Sequence, residues 1–292
     1  MYASPFAYRR VASWAEAVDA LQEHEGDATL LAGGQSLVPM MNLRLAQPSH
    51  VIDLNGIGTA GIRSSDGVLE VDALTRHSEL QGSPVVAGAC PMLRDAAGMI
   101  GNVRVRHRGT IGGSVAHADP SAELPCALVA LRAEIRVLGP DGERRIPASD
   151  FFVSFFTTAL ETTEVVVGVE VPVVPGSSGS AFLELARRTG DFAIVEVAAL
   201  LALDASGSCT DVRVALGGIG ERPLDLSESA ARIVGTTVED GQLKEVARAV
   251  AGATEPRGDE RGSADYRRHL SEVLTGRALR LAREQARAGA GR

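Results

Sequence analysis

The chain has 292 residues, 45% of them hydrophobic, and a formal net charge of −8 at pH 7. That length and apolar content favour two globular domains, while the acidic balance excludes the electrostatic footprint of a nucleic-acid or anionic-membrane binder and leaves small-molecule chemistry. Cys90, Cys126 and Cys209 are scattered and never form the C-x-x-C spacing of a zinc, redox or iron–sulfur site, so any metal or cluster belongs to another chain.

Met1 to Arg10 lacks the apolar core of a secretory signal, and the longest apolar runs, such as Val197 to Leu203, are too short to span a bilayer, which predicts a cytoplasmic protein. Ser13 and Glu16 form an S-x-x-E capping box ahead of Ala17, Val18, Ala20 and Leu21, whose spacing predicts a short helix ending near Gly26. Thr29 to Ala32 reads as a strand delivering a glycine loop, Ala32-Gly33-Gly34-Gln35-Ser36-Leu37, and Val51 to Leu54 as another strand. Gly56-Ile57-Gly58-Thr59-Ala60-Gly61 fits G-x-G-x-x-G directly after that strand. A dinucleotide fingerprint needs a helix to start inside the motif, whereas Arg63 to Gly67 is turn-like and leads into a further strand, so the run is read as a hairpin turn. Val68 to Leu74 alternates as a half-buried strand, and Pro91 to Ile100 suits a short helix with proline in its first turn.

Arg104-Val105-Arg106-His107-Arg108 is a basic run that suits an anionic cofactor, an acidic partner or a solvated strand edge. A second glycine loop, Thr110-Ile111-Gly112-Gly113-Ser114, follows. Asp119-Pro120 fits the N-cap and first position of a helix running through Leu124 towards Leu131. Strands are expected at Glu134 to Leu138 and Val165 to Val174. The stretch Pro175 to Ser180 reads as a flexible break, which divides the chain into domains 1–176 and 177–292. Beyond it, Ala181 to Ala186, Ala198 to Asp204 and Asp211 to Leu216 read as strands of a small sheet, followed by helices near Gln242 to Ala251 and Asp265 to Ala286.

The two glycine loops share one chemistry. Glycine permits positive φ and close backbone approach, so successive amides can turn inward on an anion, with Ser36, Thr110 and Ser114 adding hydroxyl donors. Together they suit a diphosphate; singly, each is equally a turn. There is no G-x-S-x-G elbow, and His117-Ala118-Asp119 lacks a third metal ligand.

Read together, Leu31 to Leu37 with Asn42-Leu43-Arg44, and Gly101-Asn102-Val103-Arg104 through Arg108 to Ser114, closely resemble the FAD-binding (medium) subunit of molybdenum hydroxylases, the carbon monoxide dehydrogenase and xanthine dehydrogenase family. Ala215-Leu216-Gly217-Gly218 extends the resemblance over nearly the whole chain. It implies an α+β fold: a two-subdomain FAD-binding domain of the PCMH/vanillyl-alcohol-oxidase-like type, then a small C-terminal domain with a three-stranded sheet and helices. It implies FAD wrapped by Ala32, Gly33, Gly34, Gln35, Ser36 and Leu37 and by Thr110, Ile111, Gly112, Gly113 and Ser114, with Glu123, Leu160 and Arg187 as further cofactor positions. By themselves, Leu160 is equally a core leucine and Arg187 a surface arginine. Gln35 sits where relatives often carry histidine or another polar residue, so the resemblance assigns this position a backbone role and no side-chain role.

The resemblance further implies an oxidoreductase subunit with no catalytic side chain of its own and with His117 near the flavin face. A large partner would carry molybdopterin and a small one the 2Fe-2S clusters, in an (αβγ)2 assembly that passes electrons through FAD to an external acceptor. The alternatives are a stand-alone FAD-dependent reductase, whose substrate-binding arginines, acid and serine proton donor cannot be assembled here, and a non-catalytic nucleotide-binding scaffold. The oxidised substrate binds a different polypeptide and is not written in this sequence.

Overall fold

A computed structural model describes residues 2–24, 26–58, 61–174 and 177–290. The first helix, Trp14–Glu23, begins where the capping box places it: the Ser13 hydroxyl accepts from the Glu16 amide at 3.2 Å, and the Glu16 carboxylate accepts from the Ala12 amide at 2.8 Å. Its buried stripe of Ala17, Val18, Ala20 and Leu21 faces a small core shared with Ile52 and Leu54. Beside it lies a three-stranded parallel sheet in the order Ala7–Arg10, His50–Asp53, Ala28–Leu31, so Ala28–Leu31 is an edge that hands the chain directly to the first glycine loop.

A second, antiparallel sheet runs Ile62–Ser65, Val68–Asp72, Val165–Pro172, Glu134–Gly139, Gly142–Pro147. Ile62–Ser65 is thus a strand where the sequence suggested a turn, and the hairpin is made by Asp66 and Gly67, both at positive φ (51° and 77°) as a tight two-residue turn requires. In the G-x-G-x-x-G run, Leu54–Gly56 is a single 3-10 turn and no helix starts among the described positions; Thr59 and Ala60 lie outside the described residues.

Helices Pro91–Met99 and Glu123–Ala130 fill the core behind this sheet with Met92, Leu93, Leu124 and Leu128. The second starts later than Asp119-Pro120 suggests, because the Asp119 carboxylate caps the Ser121 amide locally at 2.9 Å and spends the cap on a turn. Two segments expected as loop or strand edge are short helices. Val103–Arg108 is started by Asn102, whose side chain accepts from the Arg104 and Val105 amides, and Ile111–His117 is started by Thr110, whose hydroxyl accepts from the Gly113 amide.

The C-terminal sheet runs Ser177–Leu185, Val195–Leu203, Cys209–Gly217, Leu224–Asp225: three long strands, as the resemblance implies, and a two-residue edge strand. Ser177 to Ser180, expected to be a flexible break, belong to the first strand. Gly179 is needed there because a Cβ would stand 2.0 Å from the Ala282 carbonyl oxygen of the covering helix. Pro175 and Gly176, where the domain boundary was expected, lie outside the described residues.

Helices Asp240–Gly252 and Ala264–Ala290 cover one face of this sheet. The other face, with Phe182, Ala198, Leu200 and Ala215, joins the core that also holds Leu124, Leu128 and Val169, so Val195–Leu203 is buried along its whole length. Among the described residues no helix is long and apolar enough to cross a membrane.

Candidate functional site

The two glycine segments meet. A Cβ on Gly33 would stand 2.4 Å from the Arg108 carbonyl oxygen and 2.7 Å from Gly109 Cα, and one on Gly113 would lie 3.8 Å from Ala32 Cβ. A polar chain ties them: Asn55 Nδ2 donates to the Ala32 carbonyl at 2.8 Å, Arg76 Nη2 donates to Asn55 Oδ1 at 2.8 Å, and Arg76 Nη1 donates to the Arg108 carbonyl. The sequence reading had assigned Asn55 and Arg76 no role, since their partners lie far away in the chain.

The segments differ in what they offer a ligand. Among the described residues, the amides of Gly33, Gly34, Gln35, Ser36 and Leu37 donate to no protein acceptor, and Ser36 caps nothing. Gly34 sits at φ +71°, and the Gln35 side chain folds back to donate to the Gly33 carbonyl at 3.2 Å, leaving the backbone to face a ligand.

In the second segment the amides are already used. Ile111 donates to the Thr75 carbonyl at 3.1 Å, Gly112 to the Ala73 carbonyl at 2.8 Å, Gly113 to the Thr110 hydroxyl and Ser114 to the Thr110 carbonyl. The expectation that both loops present bare amides is corrected here, because helix formation and docking on Thr75 and Ala73 take up those donors. Ile111 is a fully buried core residue, and Gly112 is glycine for close packing, since a Cβ would stand 2.5 Å from that of Ala73. Thr110 and Ser114 are still among the residues that border the open space.

That space is a cavity of about 740 Å3. Ala32, Gly33, Gly34, Gln35, Ser36, Leu37, Thr110, Gly112, Gly113, Ser114, Glu123 and Leu160 all line it, and His117 does too, its ring tilted on Phe156 with centroids 5.1 Å apart. Gly190, Asp191 and Phe192, between the first two strands of the C-terminal sheet, border one side, where Gly190 approaches Gly101 so tightly that a Cβ would meet its carbonyl oxygen at 2.6 Å. Arg187 stands apart: it is exposed, outside the lining, and its guanidinium donates to the Glu260 carbonyl.

The electrostatics of the cavity are set by burial. Glu123 is pushed up to about 8, chiefly by loss of water, with Glu184 and Asp119 adding repulsion and Arg106 opposing it. Glu184 is raised by burial to about 7, and Glu196 is raised well above the carboxylate range by burial and by Glu123, Glu184 and Asp119. His77, another lining residue, is lowered to about 4 by burial and by Arg76 and Arg106, so it is neutral at pH 7. Sequence reading missed Glu184, Glu196 and His77. Glu196 carried a signal, as the lone charge in the otherwise apolar strand Val195–Leu203.

Residues 4–174 match the family described as the FAD binding domain in molybdopterin dehydrogenase, and residues 180–282 match the CO dehydrogenase flavoprotein C-terminal domain. The chain is 38% identical to the alpha subunit of the 6-hydroxypseudooxynicotine dehydrogenase complex of Paenarthrobacter nicotinovorans, over 97% of this chain and 96% of that one. It is 35% identical to the glyceraldehyde dehydrogenase medium chain of Sulfolobus acidocaldarius, over 96% of this chain and 99% of that one. The fold superimposes on carbon monoxide dehydrogenase from Hydrogenophaga pseudoflava with a TM-score of 0.95 at 37% identity, covering 98% of this chain and 99% of that one.

Proposed function

The chain belongs to the FAD-binding family of the molybdopterin dehydrogenases, and from that premise we propose that it relays electrons from iron–sulfur clusters on a partner chain to an acceptor outside the complex. It is an FAD-binding oxidoreductase subunit of the molybdenum hydroxylase type, like the carbon monoxide dehydrogenase medium chain. The observation that carries the cofactor site is the row of unpartnered amides from Gly33 to Leu37, bordering a cavity whose volume of about 740 Å3 suits a dinucleotide.

In this reading those amides hold the diphosphate, with the Ser36, Thr110 and Ser114 hydroxyls as further donors. Gly112 and Ile111 act by packing the helix against the sheet, and Glu123 and Leu160 form the wall. Arg187 takes no part. Bound FAD would supply the redox chemistry, and the chain would bind and orient it. The protein therefore needs no acid, base or nucleophile of its own. The domain division near residue 176 follows the same reading, with the C-terminal unit closing the cavity through Gly190 to Phe192.

We assign the partners as a large molybdopterin-binding chain and a small 2Fe-2S chain in an (αβγ)2 assembly, supported by relatives that are subunits or medium chains of dehydrogenases. Native mass spectrometry of the complex, with flavin absorbance bleached by dithionite, tests the proposal. The expected result is two copies each of three chains and one FAD per copy of this one. A chain that purifies alone, colourless, and takes up no added FAD overturns it.

A further inference from the structure

Glu184 and Glu196 face each other as register partners on adjacent strands, and Gly217 is the partner of Glu196 on its other side. Gly217 makes room for the acid, since a Cβ there would stand 2.0 Å from Glu196 Oε1. Side chains two residues apart share a face, and Phe182, Ala198, Leu200 and Ala215 on this face pack into the core of the first domain. The two carboxyls therefore lie at the seam between the domains, against the helix that begins with Glu123 and carries Cys126.

Glu196 has 0% exposure, and neither of its carboxylate oxygens has a hydrogen-bond partner; Glu184 Oε2 is also buried without one. The groups acting on Glu196 are all acidic: Glu123, Glu184 and Asp119. Arg106 acts on Glu123, and His117 faces Asp119. Among the described residues no set of three or more His, Cys, Asp or Glu is arranged to hold a metal ion. A buried carboxyl with neither cation nor donor keeps its proton, and like charges directly opposite on a sheet destabilise it unless one is neutralised.

We infer that Glu184 and Glu196 are positioning residues of the cofactor cavity: Glu196 keeps its own proton at the seam and leaves Glu184 as the acidic neighbour that, with burial, holds Glu123 uncharged, so that it meets the dinucleotide as a hydrogen-bond donor and adds no negative charge to a cavity that takes up two phosphates. The inference rests on the reading of the cavity as an FAD site. Glu123 is the group in the cavity wall; Glu184 and Glu196 act through it.

Two measurements on the full chain test it. Infrared spectra of the FAD-free protein in D2O at pH 7 are expected to show a protonated carboxyl C=O band that weakens in Glu196→Gln, a change that preserves shape. No such band in the wild type overturns the inference. FAD affinity, read by flavin fluorescence between pH 6 and pH 9.5, is expected to fall about tenfold per pH unit once Glu123 ionises. In Glu184→Gln the fall moves to lower pH, because removing a like-charged neighbour eases ionisation of Glu123; in Glu123→Gln it disappears. A structural role alone shifts affinity at every pH and leaves the profile in place. A chain that binds FAD with a flat wild-type profile refutes the role of the carboxyls only. One that binds no FAD at any pH refutes the cavity assignment and the inference with it.

Discussion

Gly33 lies directly against Arg108: a Cβ on the first would stand 2.4 Å from the carbonyl oxygen of the second. Both partners are backbone, so neither can swing aside. Gly33→Ala is therefore expected to part the two segments, costing about 1–3 kcal/mol and lowering Tm by several degrees while flavin is lost on gel filtration. An alanine variant with wild-type Tm and flavin-to-protein absorbance ratio would show that the contact does not matter.

Gly34→Val tests the amide row itself. The backbone there has φ +71°, and a Cβ would press on Leu31 Cδ1 and Val38 Cγ2 at 3.2 Å each. The strain of a branched residue in that region is of order 1–3 kcal/mol, and relieving it turns the amides away from the cavity, so the variant should fold and lose FAD. Gly58→Val is the control: nothing lies within 4 Å of its Cβ, and flavin occupancy should match wild type. Loss of flavin in the control would revive the G-x-G-x-x-G run as a binding element.

Asn55→Ala cuts the chain of hydrogen bonds from Ala32 to Arg108 and leaves Arg76 Nη2 without its acceptor. The expected cost is about 1–3 kcal/mol, with faster FAD dissociation in stopped-flow measurements. Unchanged dissociation would confine Asn55 to a stabilising role.

Glu196 makes stability fall with pH. Its carboxyl is raised in the folded protein, so the native state binds more protons than the unfolded one; the contribution is complete below the unfolded value of 4.5 and is lost as pH rises towards the folded one. Over that window the slope for one proton is about 1.4 kcal/mol per pH unit. Denaturant melts of Glu196→Gln should therefore overlie wild type near pH 4.5 and show a growing stability advantage by pH 8. Parallel curves would mean that Glu196 is ionised in the folded state.

Arg187→Ala should leave FAD affinity within about twofold of wild type, because the guanidinium is spent on the Glu260 carbonyl away from the cavity. The loss of one exposed hydrogen bond is worth about 0.5–1.5 kcal/mol at most. A tenfold fall in affinity, measured by isothermal titration, would return Arg187 to the cofactor site.

The strands Ala28–Leu31, His50–Asp53 and Val165–Pro172 were legible within one or two residues, because alternation or apolar runs bounded by turn residues are local signals. Ile111–His117 was not: Gly112-Gly113 is poor helix material, and the helix exists through the Thr110 cap and the fit of Gly112 on Ala73. Val103–Arg108 buries no residue, so it has no apolar period to read. The glycine motifs located the cavity but could not say which amides stay available, since that depends on Thr75 and Ala73, far upstream. Glu184 and Glu196 stand twelve positions apart in the chain, and only their strand register brings them together.

Phe182, Ala198, Leu200 and Ala215 complete a core begun by Leu128, Phe151 and Val169. During synthesis, residues up to 174 emerge from the ribosome with one wall of that core still missing. The nascent first half must keep its oily seam shielded, by chaperones or by staying loose, until the downstream sheet arrives. A chain ending at residue 174 would leave that apolar wall open to water and prone to aggregate.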